Sequence, residues 1–150
     1  MGWSRSAKTC QVFSIDIIGC MKPTLSLLKG IFTVHRIPPT AEIPAIALTA
    51  PFFVIMRTDD ELSLVLPDSI EIESEQSESG WACFKVEGPL EFELVGVLAG
   101  ISSTLAEAGV PIFALSTFDT DYILVKREQV RAAHEALTSS GYQIHPQGEK

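Results

Sequence analysis

Apolar and polar residues alternate along two segments of this chain, and a short acidic stretch interrupts each of them. The first segment runs from Pro51 to Val65 and the second from Pro111 to Val125. Alternation with a period of two predicts β-strands, and two such strands around a short polar stretch predict a β-hairpin. The segments superimpose without a gap at a spacing of 60 residues. The chain is therefore predicted to contain two related hairpins, each part of a small module.

The residues around the second hairpin complete a larger pattern. A strand is predicted over Trp81 to Glu87, a helix over Glu91 to Ala108, a second helix over Glu128 to Ser139 and a last strand over Tyr142 to Ile144. The order β-α-β-β-α-β is that of a split βαβ unit, which packs two helices on one face of a four-stranded antiparallel sheet. The apolar stripe of the first helix consists of Leu94, Val97, Leu98, Ile101 and Leu105.

The first module is predicted to be truncated. A strand is expected over Lys29 to Ile37, and only Thr40 to Thr49 separate it from the hairpin, which leaves room for two helical turns. Five carboxylates and four serines after the hairpin indicate an acidic connector. We expect the two modules to fuse and share burial. The predicted boundaries are an extension, interpreted as disordered, over 1–24, a truncated module over 25–67, the connector over 68–80 and a complete module over 81–146.

Composition and charge narrow the function. The net charge of −8 disfavours nucleic-acid binding and favours a cationic small molecule. The stretch from Cys10 to Cys20 is too short to span a bilayer and lacks a signal-cleavage pattern, so no membrane association is expected. An odd number of cysteines without a close pair indicates a reducing compartment, and we predict a cytoplasmic protein. Four phenylalanines are interpreted as core or inter-module packing: Phe52, Phe53, Phe84 and Phe113.

Catalytic and metal chemistry find little support in the sequence. His35, His134 and His145 are far apart and belong to different predicted elements, so no metal site is expected. Cys83 lies within a predicted strand, where a buried, inert thiol is the simpler interpretation. No nucleophile motif or phosphate-binding motif is present, and the chain has no asparagine. The sequence thus predicts a protein that is not an enzyme and carries no cofactor.

Four stretches of the second module resemble a known family: Val86–Phe92, Gly96–Ala99, Leu105–Gly109 and Ser116–Val125. The most specific of them has the form Ser-Thr-Phe-x-x-Asp-x-x-Leu-Val. They are similar to ACT domains, the small ligand-binding regulatory modules of amino-acid metabolism. The resemblance is closest to the ACT pairs of the animal cytosolic arginine sensors of the TOR kinase pathway. It implies an α+β fold of tandem ferredoxin-like modules, with antiparallel sheets and helices on one face.

The resemblance also implies a non-catalytic sensor that binds an amino acid where two modules meet. In the arginine sensors an aspartate corresponding to Asp121 faces the ligand guanidinium, and backbone groups matching Thr117 and Phe118 line the same pocket. The loop matching Gly88, Pro89 and Leu90 lines it as well. This chain has two modules where the animal sensors have four, a count that a symmetric dimer would restore.

The residues themselves leave these roles open. The Gly88-Pro89 turn is expected to lead directly into a helix, so free N–H groups from Leu90 to Glu93 could hold a ligand carboxylate, although Glu91 and Glu93 would repel it. Asp119 is explained by turn formation, whereas Asp121 opens a strand and could accept two bonds from a guanidinium.

Three functional hypotheses follow. The first is an amino-acid sensor, with arginine slightly favoured, that binds its ligand between modules or across a dimer and acts on a partner protein. The second is a structural oligomerisation or interaction module without a small-molecule ligand. The third, an enzyme with Asp119 or Asp121 as a base, lacks partner residues and is the least supported.

Overall fold

The computed structural model describes residues 22–90 and 95–146. Most of the predicted extension, and Glu91 to Leu94 in the predicted first helix, lie outside these ranges. Eight strands of the described chain form one sheet, accompanied by two α-helices, so the α+β class is confirmed. The strands are β1 (Thr24–Leu27), β2 (Phe32–Ile37), β3 (Val54–Arg57), β4 (Leu62–Pro67), β5 (Gln76–Val86), β6 (Ile112–Ser116), β7 (Asp121–Lys126) and β8 (Gln143–Pro146); the helices are α1 (Val97–Glu107) and α2 (Val130–Ser139).

Strand β5 joins the two ends of the sheet. Its N-terminal half pairs antiparallel with β2, and its C-terminal half lies between β1 and β7. The pairs Phe32–Trp81 and Leu27–Phe84 place β2 and β1 one after the other along the same edge of β5. The strand begins five residues before Trp81, its predicted start, because the polar residues 76–78 pair through their backbone with β2. The predicted connector therefore overlaps this strand, and the division into modules stays a prediction.

One strand pair departs from the predicted antiparallel sheet. Strand β8 pairs in parallel with β1, through the partners Leu25–Ile144 and Ser26–His145 among others. In a plain split βαβ unit the last strand would lie beside the first strand of its own module. Here β1 occupies that edge of β5, so β8 pairs with β1 instead. The prediction of purely antiparallel sheets was wrong for this pair, and the sheet is mixed.

The helices cover the second half of the sheet. Helix α1 begins at Val97 behind Gly96, whose φ of 88° is the left-handed conformation that glycine adopts at least cost. The predicted start at Glu91 was therefore too early. None of the helices in the described parts of the chain is both long and apolar enough to cross a bilayer. The core beneath α1 and α2 consists chiefly of Leu25, Phe84, Val86, Ile101, Leu105, Ile123, Val125, Ala133 and Leu137.

The first half of the sheet is covered by a short 3-10 segment rather than by α-helices. A 3-10 segment, Ala45–Thr49, replaces a first helix and buries Ala47 against β4. A second cluster there combines Ile37, Leu62, Leu64 and Leu66, with Ile70 and Ile72 packed against it. The third cluster draws on both halves, because Phe32 and Val65 pack with Cys83 and Leu124. The two halves therefore share apolar packing as well as a sheet.

The two hairpins have the same turn geometry. Thr58 donates its N–H to the Glu61 carbonyl at 2.9 Å, and Thr117 donates its N–H to the Thr120 carbonyl at 2.8 Å. Each threonine hydroxyl also lies within hydrogen-bond distance of its own turn. The turns superimpose at a spacing of 59 positions, one fewer than the spacing inferred from sequence. Asp119 therefore corresponds in position to Asp60 of the first turn.

A histidine is buried in the first half of the sheet. His35 on β2 is 6% exposed, and its Nδ1 atom lies 3.2 Å from the Ser74 hydroxyl. Its Nε2 atom is buried and has no hydrogen-bond partner among the described residues. Burial lowers the pKa of His35 below its usual value of 6.5, although the Asp68 carboxylate partly opposes this. The folded protein therefore favours the neutral imidazole.

We expect acid to destabilise the protein through His35. Because its folded-state pKa is depressed, its contribution to stability is complete above pH 6.5 and is lost as the pH falls through the lowered pKa. Urea unfolding between about pH 7.5 and about pH 5.5 measures this slope. His35→Gln should flatten the curve, whereas the exposed His134→Gln should leave it unchanged. Equal slopes in all three proteins would contradict the assignment.

Candidate functional site

A cavity lies between the two hairpins, at the seam where the β3 and β6 edges of the sheet approach each other. Its volume is about 360 Å³, at the small end of the range for ligand pockets. We call it the seam cavity. One wall comes from the first hairpin and the residues before it, and the other comes from the second hairpin. Its lining residues are Pro51, Phe52, Phe53, Val54, Met56, Ala114, Leu115, Ser116, Thr117 and Tyr122.

Aromatic side chains pack against one another at this seam. The Phe52 ring lies 5.1 Å from Phe32 in an edge-on arrangement and 5.2 Å from Tyr122. Trp81 packs 6.2 Å from Phe113 on β6. These centroid distances are in the favourable range for aromatic pairs. Phe52 precedes β3 and Tyr122 lies on β7, so the sheet curves enough to bring its two ends together.

The polar groups of the seam cavity lie on the second hairpin. The Ser116 hydroxyl donates a hydrogen bond of 2.6 Å to Asp121 Oδ1, directly across the hairpin. The Thr117 hydroxyl donates to the Thr120 carbonyl at 3.0 Å. Desolvation, followed by the nearby Cys83, Glu87 and Asp119, raises the pKa of Tyr122. Its phenol is therefore neutral at physiological pH and can donate a hydrogen bond.

The loop after β5 packs against the turn of the second hairpin. The Leu90 N–H donates to the Asp119 carbonyl at 2.8 Å, and the Thr120 hydroxyl donates to the Val86 carbonyl. The Gly88–Pro89 peptide bond is cis. A Cβ atom on Gly88 would lie 2.8 Å from the Asp119 oxygen. Only glycine allows this contact, which fixes the loop to the turn.

The structure brings most of the predicted site residues to one turn, but only one of them lines the cavity. Gly88 and Leu90 contact the turn, and Pro89 lies between them on the exposed loop. Thr117 lines the seam cavity, and Phe118 at the tip of the turn is 77% exposed. The Asp121 carboxylate is bonded to Ser116. The ligand-binding roles of these residues stay predictions.

The expected carboxylate site at the start of the first helix does not form at Leu90. Its N–H is already bonded to Asp119, and α1 begins at Val97 rather than directly after the Gly88–Pro89 turn. The described part of the loop docks on the hairpin, and the other N–H groups of the expected site, at 91–93, lie outside the described residues.

Sequence reasoning missed the role of several cavity residues. Phe52 and Phe53 were interpreted as packing, yet both line the seam cavity, and Tyr122 and Met56 were not singled out at all. The available signal was the repeat itself, since residues on the first strand of each hairpin line the same seam. It could have indicated this region but not these side chains.

Other candidate chemistry is limited. Cys83 is fully buried, and burial raises the pKa of its thiol to about 12, in keeping with the predicted inert role. Within residues 22–90 and 95–146, no three histidine, cysteine or acidic side chains come together as metal ligands would.

The sequence also matches a known family. Residues 76–139 match the profile of the ACT domain, and this range covers β5, both helices and the second hairpin. The chain belongs to the ACT domain family. The earlier resemblance is therefore confirmed, and the match begins at Gln76, where β5 begins.

Two relatives extend the match over most of this ACT-family chain. Protein Atu0741 of Agrobacterium tumefaciens is 32% identical, with a TM-score of 0.79, over 87% of this chain and 97% of that one. The rat protein named cytosolic arginine sensor for mTORC1 subunit 1 is 26% identical over 122 residues, or 75% of this chain. The chain spans only 37% of the length of that relative.

An enzyme structure shares the fold alone. Aspartate kinase from Synechocystis is 16% identical, with a TM-score of 0.62, over 85% of this chain and 28% of the kinase. This likeness supports the ferredoxin-like architecture expected of the ACT family.

Proposed function

We propose that this chain is a non-catalytic regulatory module that binds a free amino acid between its two hairpins. The seam cavity carries the proposal, because residues from both hairpins line it in similar number and its volume suits a small ligand. The ACT family and the name of the rat relative support an amino acid as the ligand class. We take the hairpins to belong to two related modules, of which the first is truncated.

The proposed ligand would act by holding the two hairpins together. A ligand that contacts both walls stabilises only the arrangement in which the walls are close. We assign the mouth of the site to the second hairpin turn and the loop docked on it. The residues of this mouth are Gly88, Pro89, Leu90, Thr117, Phe118 and Asp121. Closure there would change the outer surface that a partner protein or a second copy contacts.

We place this module in the cytoplasm. The free thiol of Cys83 suits a reducing compartment, and the rat relative is named as cytosolic.

We expect at least one amino acid to raise the stability of the protein. Free ligand at ten times its dissociation constant should add about 1.4 kcal/mol to the free energy of unfolding. Thermal unfolding of the full chain with each common L-amino acid measures this effect, and the matching D-enantiomer is the control. If no L-amino acid shifts the transition, the sensor proposal fails.

In that case a structural interaction module becomes the better proposal. Exposed apolar side chains on the 3-10 segment favour it as the second candidate, since Ile46 and Leu48 are half exposed. Sedimentation of the ligand-free chain across a range of concentrations would then reveal self-association.

A further inference from the structure

The described residues that line the seam cavity are uncharged. None of the ten residues that line it carries a formal charge. Most of the wall is apolar, from Phe52, Phe53 and Val54 on one side to Leu115 on the other. Hydroxyl groups of Ser116, Thr117 and Tyr122 are the polar side-chain groups of the wall. A ligand side chain that enters this space therefore leaves water mainly for apolar surface.

Two charged residues that adjoin lining residues in sequence, Asp121 and Arg57, have hydrogen-bond partners within the protein. The Asp121 carboxylate accepts the Ser116 hydroxyl at 2.6 Å. The Arg57 guanidinium, at the end of β3, donates to the Ala41 carbonyl at 2.7 Å and to the Pro39 carbonyl. A guanidinium or ammonium on the ligand side chain would lose hydration inside the cavity, where none of the described lining residues supplies a carboxylate, and that loss is costly.

Strand β6 offers main-chain groups at the same place. Within the described chain β6 pairs only with β7, so its other edge faces the seam. Thr117 and Thr120 form a hydrogen-bonded pair. Hydrogen-bonded and non-hydrogen-bonded pairs alternate along an antiparallel ladder. Counted from Thr117–Thr120, the pair Leu115–Tyr122 is therefore hydrogen-bonded, whereas Ser116–Asp121 and Ala114–Ile123 are not. This alternation directs the N–H and C=O groups of Ser116 and Ala114 away from β7.

These outward groups complement the main chain of a free amino acid. An N–H group can donate to the ligand carboxylate, and a C=O group can accept from the ligand ammonium. The ligand would thus occupy the position of one residue of an added strand, as peptides do when they extend a sheet edge.

We propose that the seam cavity selects an L-amino acid with an uncharged, apolar side chain. Its main chain binds the β6 edge at Ala114 and Ser116, and its side chain packs between Phe52, Val54 and Leu115. The inference rests on the proposed amino-acid-binding function and narrows its ligand class. It departs from the arginine expected from the sequence, because the Asp121 carboxylate is not among the described residues that line the cavity.

Calorimetric titration of the full chain with a ladder of straight-chain amino acids tests this selection. The ladder is glycine, alanine, 2-aminobutyrate, norvaline and norleucine. Affinity should rise about fourfold with each added methylene until the cavity is full. Lysine is norleucine with a terminal ammonium group, so it isolates the effect of the charge. It should bind at least about tenfold more weakly than norleucine.

The outcomes separate this inference from the proposed function. If arginine or lysine binds as tightly as norleucine or more tightly, the apolar selection is overturned while amino-acid binding stands. If no amino acid binds at all, the proposed function fails and the inference fails with it.

A pair of variants tests the location. Met56 lines the seam cavity and is 58% exposed, whereas Leu48 is 55% exposed and lies outside it, so neither substitution empties the core. Met56→Glu should weaken norleucine binding at least about tenfold and reduce the ratio of norleucine affinity to lysine affinity, because it places a carboxylate in the cavity wall. Leu48→Glu should leave both affinities unchanged. If both variants bind norleucine like the wild type, the cavity is not the site.

Discussion

Replacing Leu64 by alanine should lower the free energy of unfolding by about 2–5 kcal/mol. Leu64 is 0% exposed and packs with Leu62, Leu66 and Ile37 under the 3-10 segment, so the truncation leaves a void in the thinner half of the protein. Because β5 pairs with both halves, we expect the whole chain to unfold in one transition that shifts to lower denaturant.

Urea unfolding measures the free energy of unfolding and the number of transitions. It is followed by circular dichroism and by Trp81 fluorescence in a Trp3→Phe background. Ile123→Ala is the matched variant, because Ile123 is equally buried and corresponds to Leu64 at the 59-residue spacing of the turns. Both variants should shift the same single transition. Two separate transitions, each sensitive to one variant, would show that the halves fold independently and would contradict the shared-sheet account.

Replacing Gly88 by alanine should detach the loop after β5 from the second hairpin. The new Cβ atom would lie 2.8 Å from the Asp119 oxygen and 3.2 Å from the Leu90 nitrogen, and both are backbone atoms that cannot yield cheaply. We expect a loss of about 1–3 kcal/mol in stability from overpacking and the broken Leu90–Asp119 bond. If the loop forms the mouth of the site, amino-acid affinity should fall as well.

Gly100→Ala provides the control for this variant. An added Cβ at Gly100 would also be close to a neighbour, 2.9 Å from the Tyr142 hydroxyl, but that atom ends a side chain, and alanine favours the helix that contains it. Denaturant unfolding should show a clearly smaller loss for Gly100→Ala. Equal losses would mean that the loop–turn contact contributes little.

Much of the second half could be predicted from periodicity. The stripe from Val97 to Leu105 and the alternation of the second hairpin correspond to α1 and to β6 and β7. Such patterns can be recognised in the sequence because each element buries one face, which places apolar residues at regular intervals. The start of α1 was misjudged because apolar spacing continues upstream, whereas Gly96 in a left-handed conformation sets the real start.

The pairing across the middle of the sheet could not be predicted. Strand β1 has four residues, too few to show a period, and residues 76–80 are polar on both faces. These strands exist because each finds a backbone partner on the other half of the chain. The one-residue error in the spacing of the hairpins has a related cause. Identical residues align best at a spacing of 60 residues, whereas the hydrogen bonds of Thr58 and Thr117 align the turns at a spacing of 59.

The candidate site was predicted only in part. The resemblance to ACT domains directed attention to the turn around Thr117 and to the loop at Gly88, and the structure brings these together. The opposite wall, Phe52 to Met56, depends on the curvature of the sheet, which no local pattern encodes. The same is true of Asp121, whose partner Ser116 is set by the register of the hairpin.

The most direct test of an amino-acid site at the seam is a two-dimensional amide NMR titration of the labelled full chain with norleucine. The account predicts saturable shifts concentrated in two stretches, Phe52 to Met56 and Ala114 to Thr117, with smaller shifts at Gly88 and Leu90. Amides on the far side of the sheet, such as those of α2, should stay in place. Saturable shifts confined to another surface, or none with any amino acid, would contradict it.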